Sequence, residues 1–137
     1  MSGRVKKIFS RSSARDPEGL VKKCGHALDD FEDEDGAVNI KANESISKRL
    51  RDMRTILYGE GNEHDSEPQP EMCNILADWL MKENLMLRLL PYLKQLEFEA
   101  RKHFSQVFNN LMRKNWNNFS GYIQVILVQF FSDRSLI

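Results

Sequence analysis

The sequence predicts an all-α protein of about five to six helices stacked on one another. Three observations carry that prediction. From Asn43 to Asn115 apolar residues return every three or four positions, the spacing that lines one face of a helix with 3.6 residues per turn. Helix-ending residues separate these stretches: Gly59, then Gly61, Asn62, Pro68 and Pro70, then Asn84, then Asn115, Asn117 and Asn118. Each stripe is single-sided, so no helix hides its own apolar face, and helices of this kind stack as a bundle or as a solenoid of repeats.

The first helix starts at Asp16 and Pro17, where a carboxylate can accept from free backbone amides and proline fits the first turn. Its stripe of Leu20, Val21, Cys24, Ala27, Leu28 and Phe31 leads into an acidic loop. A second helix begins between Asn39 and Glu44, carries Ile46, Leu50, Met53 and Leu57 on one face, and closes at Gly59, which takes a positive φ without strain. The stretch from Gly59 to Pro70 reads as a polar loop. A third helix presents Met72, Ile75, Leu76, Trp79 and Leu80 and runs to Glu83, with Asn84 expected both to end it and to cap the next. The fourth segment, Leu85 to Leu96, is rich in leucine but holds Pro91. Inside a helix the missing amide and the ring clash cost about 3 kcal/mol, so a kink or a late start is expected there. A fifth helix spans Phe98 to Lys114 on Ala100, Phe104, Val107, Phe108 and Leu111.

The stretch from Phe119 to Phe131 differs in kind, being apolar on all sides and rich in β-branched and aromatic residues. It falls short of the about 20 residues a helix needs to cross a bilayer. A buried helix packed on its predecessor is the expected reading; a sticky tail that self-associates and a membrane-surface anchor are the alternatives.

At 137 residues the chain suits one domain with a real core. Its 20 basic and 20 acidic side chains cancel, which argues against a general nucleic-acid binder. Charge is nevertheless segregated: residues 1–28 hold seven Lys or Arg against two acids, and residues 29–35 hold six acids and no base. The acidic run reads as a solvated loop. Residues 1–15, with Arg4, Lys6, Lys7, Arg11 and Arg15, read as a flexible basic tail in preference to an organelle transit peptide. Cys24 and Cys73 lie far apart, each on an apolar stripe, as reduced buried thiols of a cytoplasmic protein do.

Tests for reactive constellations fail one by one. Asp33, Asp35 and Gly36 match positions 3, 5 and 6 of a calcium loop, but positions 1 and 12 fall on Phe31 and Ala42, which offer no side-chain oxygen. Glu99 and His103 share a helix face without a third ligand at matching spacing, so a surface pair is expected. There is no glycine-rich phosphate loop and no nucleophile elbow. Arg101, Lys102, Phe104, Arg113, Lys114 and Trp116 interleave cations with aromatics, yet the zero net charge favours a protein partner over nucleic acid. No catalytic, cofactor-binding or metal-ligating residue is singled out, and no cofactor is expected.

Two runs then carry a resemblance. The helix Ser47-Lys48-x-Leu50-x-x-Met53-x-x-Ile56 closing in Ile56-Leu57-Tyr58-Gly59, and the passage Leu96-Glu97-Phe98-Glu99-Ala100-Arg101-Lys102 followed by Val107-Phe108-Asn109-Asn110-Leu111-Met112-Arg113, are similar to the mouse protein-25 family, also called calcium-binding protein 39. With a weaker likeness from Phe9 through Pro17 to Lys22, the resemblance covers about residues 5–115. It implies an armadillo/HEAT-like α-helical solenoid fragment that acts as a non-catalytic scaffold, binding and activating protein kinases and pseudokinases of the sterile-twenty type. The family's concave face cups the kinase lobe, and Arg101 and Lys102 stand where a basic contact to it is expected.

The chain departs from the family in its length, less than half that of full members, which removes the repeats that build the groove for the pseudokinase tail. After Trp116 no family pattern is legible, and Pro91 interrupts a segment the family keeps helical. The expected organisation is therefore a basic tail over 1–15, helical repeats over 16–116, and a divergent apolar segment over 117–137 in a shortened scaffold. Because terminal repeats need a polar outer side, residues 119–131 either fold back as a cap or leave an apolar patch that drives self-association. The alternative function is a small peripheral-membrane or self-associating helical protein that uses the basic N-terminus and the apolar C-terminus.

Overall fold

The computed structural model describes residues 16–59 and 67–135, so the basic tail over 1–15 and most of the polar loop lie outside it. The described residues form six α-helices: α1 (Pro17–Asp29), α2 (Ile40–Tyr58), α3 (Pro70–Lys82), α4 (Leu85–Leu89), α5 (Phe98–Lys114) and α6 (Phe119–Ser135). Two 3-10 turns join them, η1 (Leu90–Gln95) between α4 and α5 and η2 (Trp116–Asn118) between α5 and α6. Among the described residues there is no β-strand, only an isolated bridge between Glu32 and Val38.

Local chemistry sets most boundaries. Asn39 caps α2, its Oδ1 accepting from the amides of Lys41 (3.0 Å) and Ala42 (3.2 Å), an arrangement worth about 1 kcal/mol. Gly59 closes the helix at φ 84°, and its amide donates to the Thr55 carbonyl. Four asparagines, Asn84, Asn115, Asn117 and Asn118, are the described non-glycine residues at positive φ, where a short polar side chain is least penalised. Pro91 interrupts the fourth segment, but by an early end and not a late start: regular helix stops at Leu89 and the chain continues as η1, the proline falling in the first turn of η1, where its missing amide costs least.

Packing is a stack centred on α2, which lies between α1 and α5, while α1 also meets α3 and α6 leans on α3, η2 and α5. Ile46, Leu50, Met53 and Leu57 of α2 are fully buried, and burying each stabilises by about 1.5–3 kcal/mol. Polar ties fix the register of the stack. Arg88 of α4 donates from Nη2 to Asp29 Oδ1 (2.6 Å) and to the Gly25 carbonyl (3.4 Å), where α4 meets α1 across a glycine that a Cβ would crowd against the guanidinium. Asn43 of α2 donates to the Gln95 carbonyl (2.9 Å) and accepts from the Glu97 amide (3.3 Å), pinning the start of α5.

Several expectations need correction. Asp16 makes no side-chain capping bond; its carboxylate lies over Gly19 instead, where a Cβ would stand 2.5 Å from it. Asn84 ends α3 at positive φ but caps nothing, because its side-chain oxygen accepts the Tyr122 hydroxyl of α6. Helix α1 stops at Asp29, yet Phe31 is fully buried beyond it, edge-on to Tyr92 at 5.2 Å. On α3 the buried stripe is Cys73, Leu76, Ala77 and Leu80, and Ile75 is exposed, because the small Cys73 and Ala77 let neighbouring helices approach closely. Among the α6 residues whose burial is described, Phe119 and Ile123 are buried, and Val125, Leu127, Val128, Phe130 and Phe131 are exposed. A helix apolar on all sides presents more greasy surface than one neighbour can cover.

Candidate functional site

Arg101 and Lys102 occupy the second turn of α5, and both are exposed. Arg101 donates from Nη1 to the Lys94 carbonyl of η1 (3.3 Å), and its guanidinium lies 5.9 Å from the centre of the Phe98 ring, itself 69 % exposed. The Asn43 clamp on the η1–α5 turn therefore sets where this pair sits, one turn into a helix whose start is tied to α2.

Beside the pair runs a ridge that joins α2 to α5. Arg54 Nε donates to Gln106 Oε1 at 2.7 Å, its guanidinium stacks 5.3 Å from the Tyr58 ring, and the Tyr58 hydroxyl donates to the Gln106 carbonyl at 3.0 Å. His103 lies within the ridge, half-buried, with Nε2 4.0 Å from Glu99 Oε2 and with a buried Nδ1 that has no hydrogen-bond partner. Burial lowers the imidazole's affinity for a proton; Glu99 opposes the shift, and the charges of Arg54, Lys102 and Arg51 add to it. The sequence-expected pair of Glu99 and His103 is present, and it sits among cations from two helices. Arg51 and Arg54 were not legible as members because 47 residues separate Arg54 from Arg101 and only the α2–α5 contact unites them.

The nucleic-acid alternative loses its stacking platform. Phe104 is buried in the core, and Trp116 turns inward, its Nε1 donating to Asn110 Oδ1 at 2.9 Å. Asn110 is the buried polar residue among the described ones, and this bond satisfies its side-chain oxygen.

Elsewhere, the acidic loop and the two thiols are occupied or shielded. The acidic loop is a self-contained turn: Asp33 Oδ1 accepts from the amides of Asp35 and Ala37, both at 2.9 Å, and Gly36 sits at φ 81°. Among the described residues no three His, Cys, Asp or Glu side chains are grouped to hold a metal. Burial pushes the Cys24 thiol up to about 12 despite the nearby charges of Arg49 and Arg88, and it raises Cys73, whose Sγ donates to the Ile56 carbonyl at 3.5 Å. Protonated, enclosed thiols are poor nucleophiles. No described helix is long and apolar enough to cross a membrane.

Comparison with known proteins gives this geometry a family. The family described as Mo25-like matches residues 7–134, which carries the likeness past position 115 and into α6. The chain is 35 % identical over 107 residues to calcium-binding protein 39-like of Mus musculus, covering 78 % of this chain and 30 % of that protein. It is 32 % identical over 119 residues to the Homo sapiens protein of the same description, covering 87 % of this chain and 34 % of that one. A putative MO25-like protein of Arabidopsis thaliana is 40 % identical over 73 residues, 53 % of this chain and 20 % of its own length. The chain thus spans about a third of the length of the mammalian relatives it matches. A stack of single-striped helices joined by asparagine and proline breaks, matched almost end to end by this family, belongs to the Mo25-like helical scaffolds.

Proposed function

We propose that this chain is a non-catalytic, cytoplasmic scaffold that binds and activates a protein kinase or pseudokinase of the sterile-twenty type, and that the α2–α5 ridge makes the contact. The single observation that carries this is the convergence of Arg51, Arg54 and Lys102 around His103, with Arg101 beside them, on helices locked together by the Arg54–Gln106 and Tyr58–Gln106 bonds. Fixed cations on a rigid surface steer an acidic partner face and set its register. The test is binding of a purified sterile-twenty-type kinase domain to the full chain and to Arg101→Glu/Lys102→Glu, with circular dichroism to establish folding. The variant is expected to bind at least about ten-fold more weakly, chiefly through slower association and with reduced salt dependence. Equal binding by a folded variant refutes the ridge as the contact.

A second reading rests on the exposed Val125, Leu127, Val128 and Phe131 of α6, which suit self-association. Concentration-dependent sedimentation that is lost in Leu127→Glu/Phe131→Glu supports it, and a monomer at all concentrations removes it. Flotation of the chain with lipid vesicles, abolished by the same variant, would instead favour the peripheral-membrane alternative.

A further inference from the structure

A second group of cations lies away from the α2–α5 ridge. Lys23, Ala27 and Asp30 stand four and three residues apart along α1 and its C-terminal cap; Lys41, Ala42, Ser45 and Arg49 follow one side of α2. Together with the capping Asn39 they line an open cleft of about 430 Å³. Ala27 and Ala42 are small and buried, so the polar groups surround a shallow floor with no bulky side chain to fill it.

The cleft is electrically unbalanced. Lys23, Lys41 and Arg49 face one carboxylate, Asp30, an excess of two positive charges, and none of the four forms an ion pair among the described residues. Arg49 Nε is buried and has no hydrogen-bond partner. A buried donor on a charged group without an acceptor is costly, and an anion seated against the guanidinium would relieve that cost. Asn39 uses its side-chain oxygen on the Lys41 and Ala42 amides, which leaves its amide nitrogen to donate, and Ser45 adds a hydroxyl.

We infer that this cleft binds a phosphate monoester dianion. Two negative charges match the excess of two positive ones, whereas a carboxylate leaves one cation uncompensated. The guanidinium and two ammonium groups suit the several acceptor oxygens of a tetrahedral oxyanion. The carrier of the phosphate is either a phosphorylated protein side chain or a small free molecule.

An NMR titration of the full chain tests this, with inorganic phosphate, phosphoserine, a phosphoserine-containing peptide and acetate as probes. Phosphate and phosphoserine are expected to give saturable amide shifts confined to residues 23–30 and 39–49, and acetate only weak ones. Lys23→Gln/Lys41→Gln, at two exposed positions outside the core, should weaken the phosphate response at least about ten-fold, and Asp30→Asn should strengthen it about five-fold. Arg49→Lys, which keeps the charge and removes Nε, falls between. Tighter binding of a phosphoserine-containing peptide than of free phosphoserine assigns the protein-borne source, and the reverse assigns the small one. No saturable shift, shifts equal to those with acetate, or an undiminished response in Lys23→Gln/Lys41→Gln overturns the inference.

Discussion

Replacing Phe119 with alanine is expected to detach α6 while leaving the α1–α2–α5 stack folded. Phe119 is fully buried, edge-on to Phe108 at 5.9 Å and tilted against Tyr122 at 5.6 Å. Truncating a buried phenylalanine costs about 3–5 kcal/mol, including about 0.5–1.5 kcal/mol for each lost aromatic pair. Against this, α6 retains Ile123, 8 % exposed and worth about 1.5–3 kcal/mol, and the Tyr122 hydroxyl bond to Asn84. The loss equals or exceeds what remains, and α6 packs mainly on α3, η2 and α5 and not on the α1–α2 pair at the centre of the stack, so the opening should be local. Native-state hydrogen exchange reads the difference directly. Amides of 120–131 should lose protection, while those of Leu50 and Met53 stay within about 1 kcal/mol of the parent. Val128→Ala, at a position 65 % exposed, should change neither set by more than about 0.5 kcal/mol. Equal loss of protection in α2 and α6 after Phe119→Ala would refute the reasoning, because it would make α6 part of the cooperative core.

Asn115 has two separable roles, holding φ 55° at the end of α5 and accepting from the Ser120 amide (2.9 Å) and hydroxyl (2.8 Å) at the start of α6. By urea unfolding, Asn115→Gly should cost about 1 kcal/mol for the lost acceptor, and Asn115→Ala about 2–3 kcal/mol because strain is added; the opposite order removes the argument. His103 has its proton affinity lowered on folding, chiefly by burial, so the unfolded chain binds the proton more readily. The stability this contributes is present above the ordinary value of 6.5 and is lost as pH falls through the lower folded value; His103→Gln should flatten the stability–pH slope in that window. An unchanged slope points to the carboxylates instead. The Cys24 and Cys73 thiols should react with a disulfide reagent at neutral pH only at the rate of global or local opening, and more than about ten-fold faster in denaturant. Immediate labelling of both in the folded chain would contradict their enclosure.

Helix existence and most boundaries were readable from residue order. The bounds expected for α5 are those observed, and Gly59, Pro91 and the asparagines act where their backbone preferences place them. Those preferences operate within a few residues, so they need no knowledge of the rest of the chain. The misses share one cause. Asn84 prefers a distant tyrosine to its own helix, Ile75 loses its place on the stripe to Cys73 and Ala77, and Phe31 is buried past the end of α1. Each outcome depends on which neighbour comes into contact, and periodicity carries no information about that.

The candidate surfaces divide in the same way. Arg101 and Lys102 were visible because they are adjacent in the chain and fall in a run that resembles a known family. The Arg51 and Arg54 contribution, the orphaned Nδ1 of His103 and the cleft of Lys23, Lys41 and Arg49 were not, since each joins side chains from two helices. Residue order alone settles that this chain folds into helices, most of them single-striped, where most of them stop, and that its charges balance, because helix periodicity and capping are short-range. Long-range packing settles which stripes meet, which cations converge and how far α6 is covered, because those follow from burial free energy summed over partners remote along the chain.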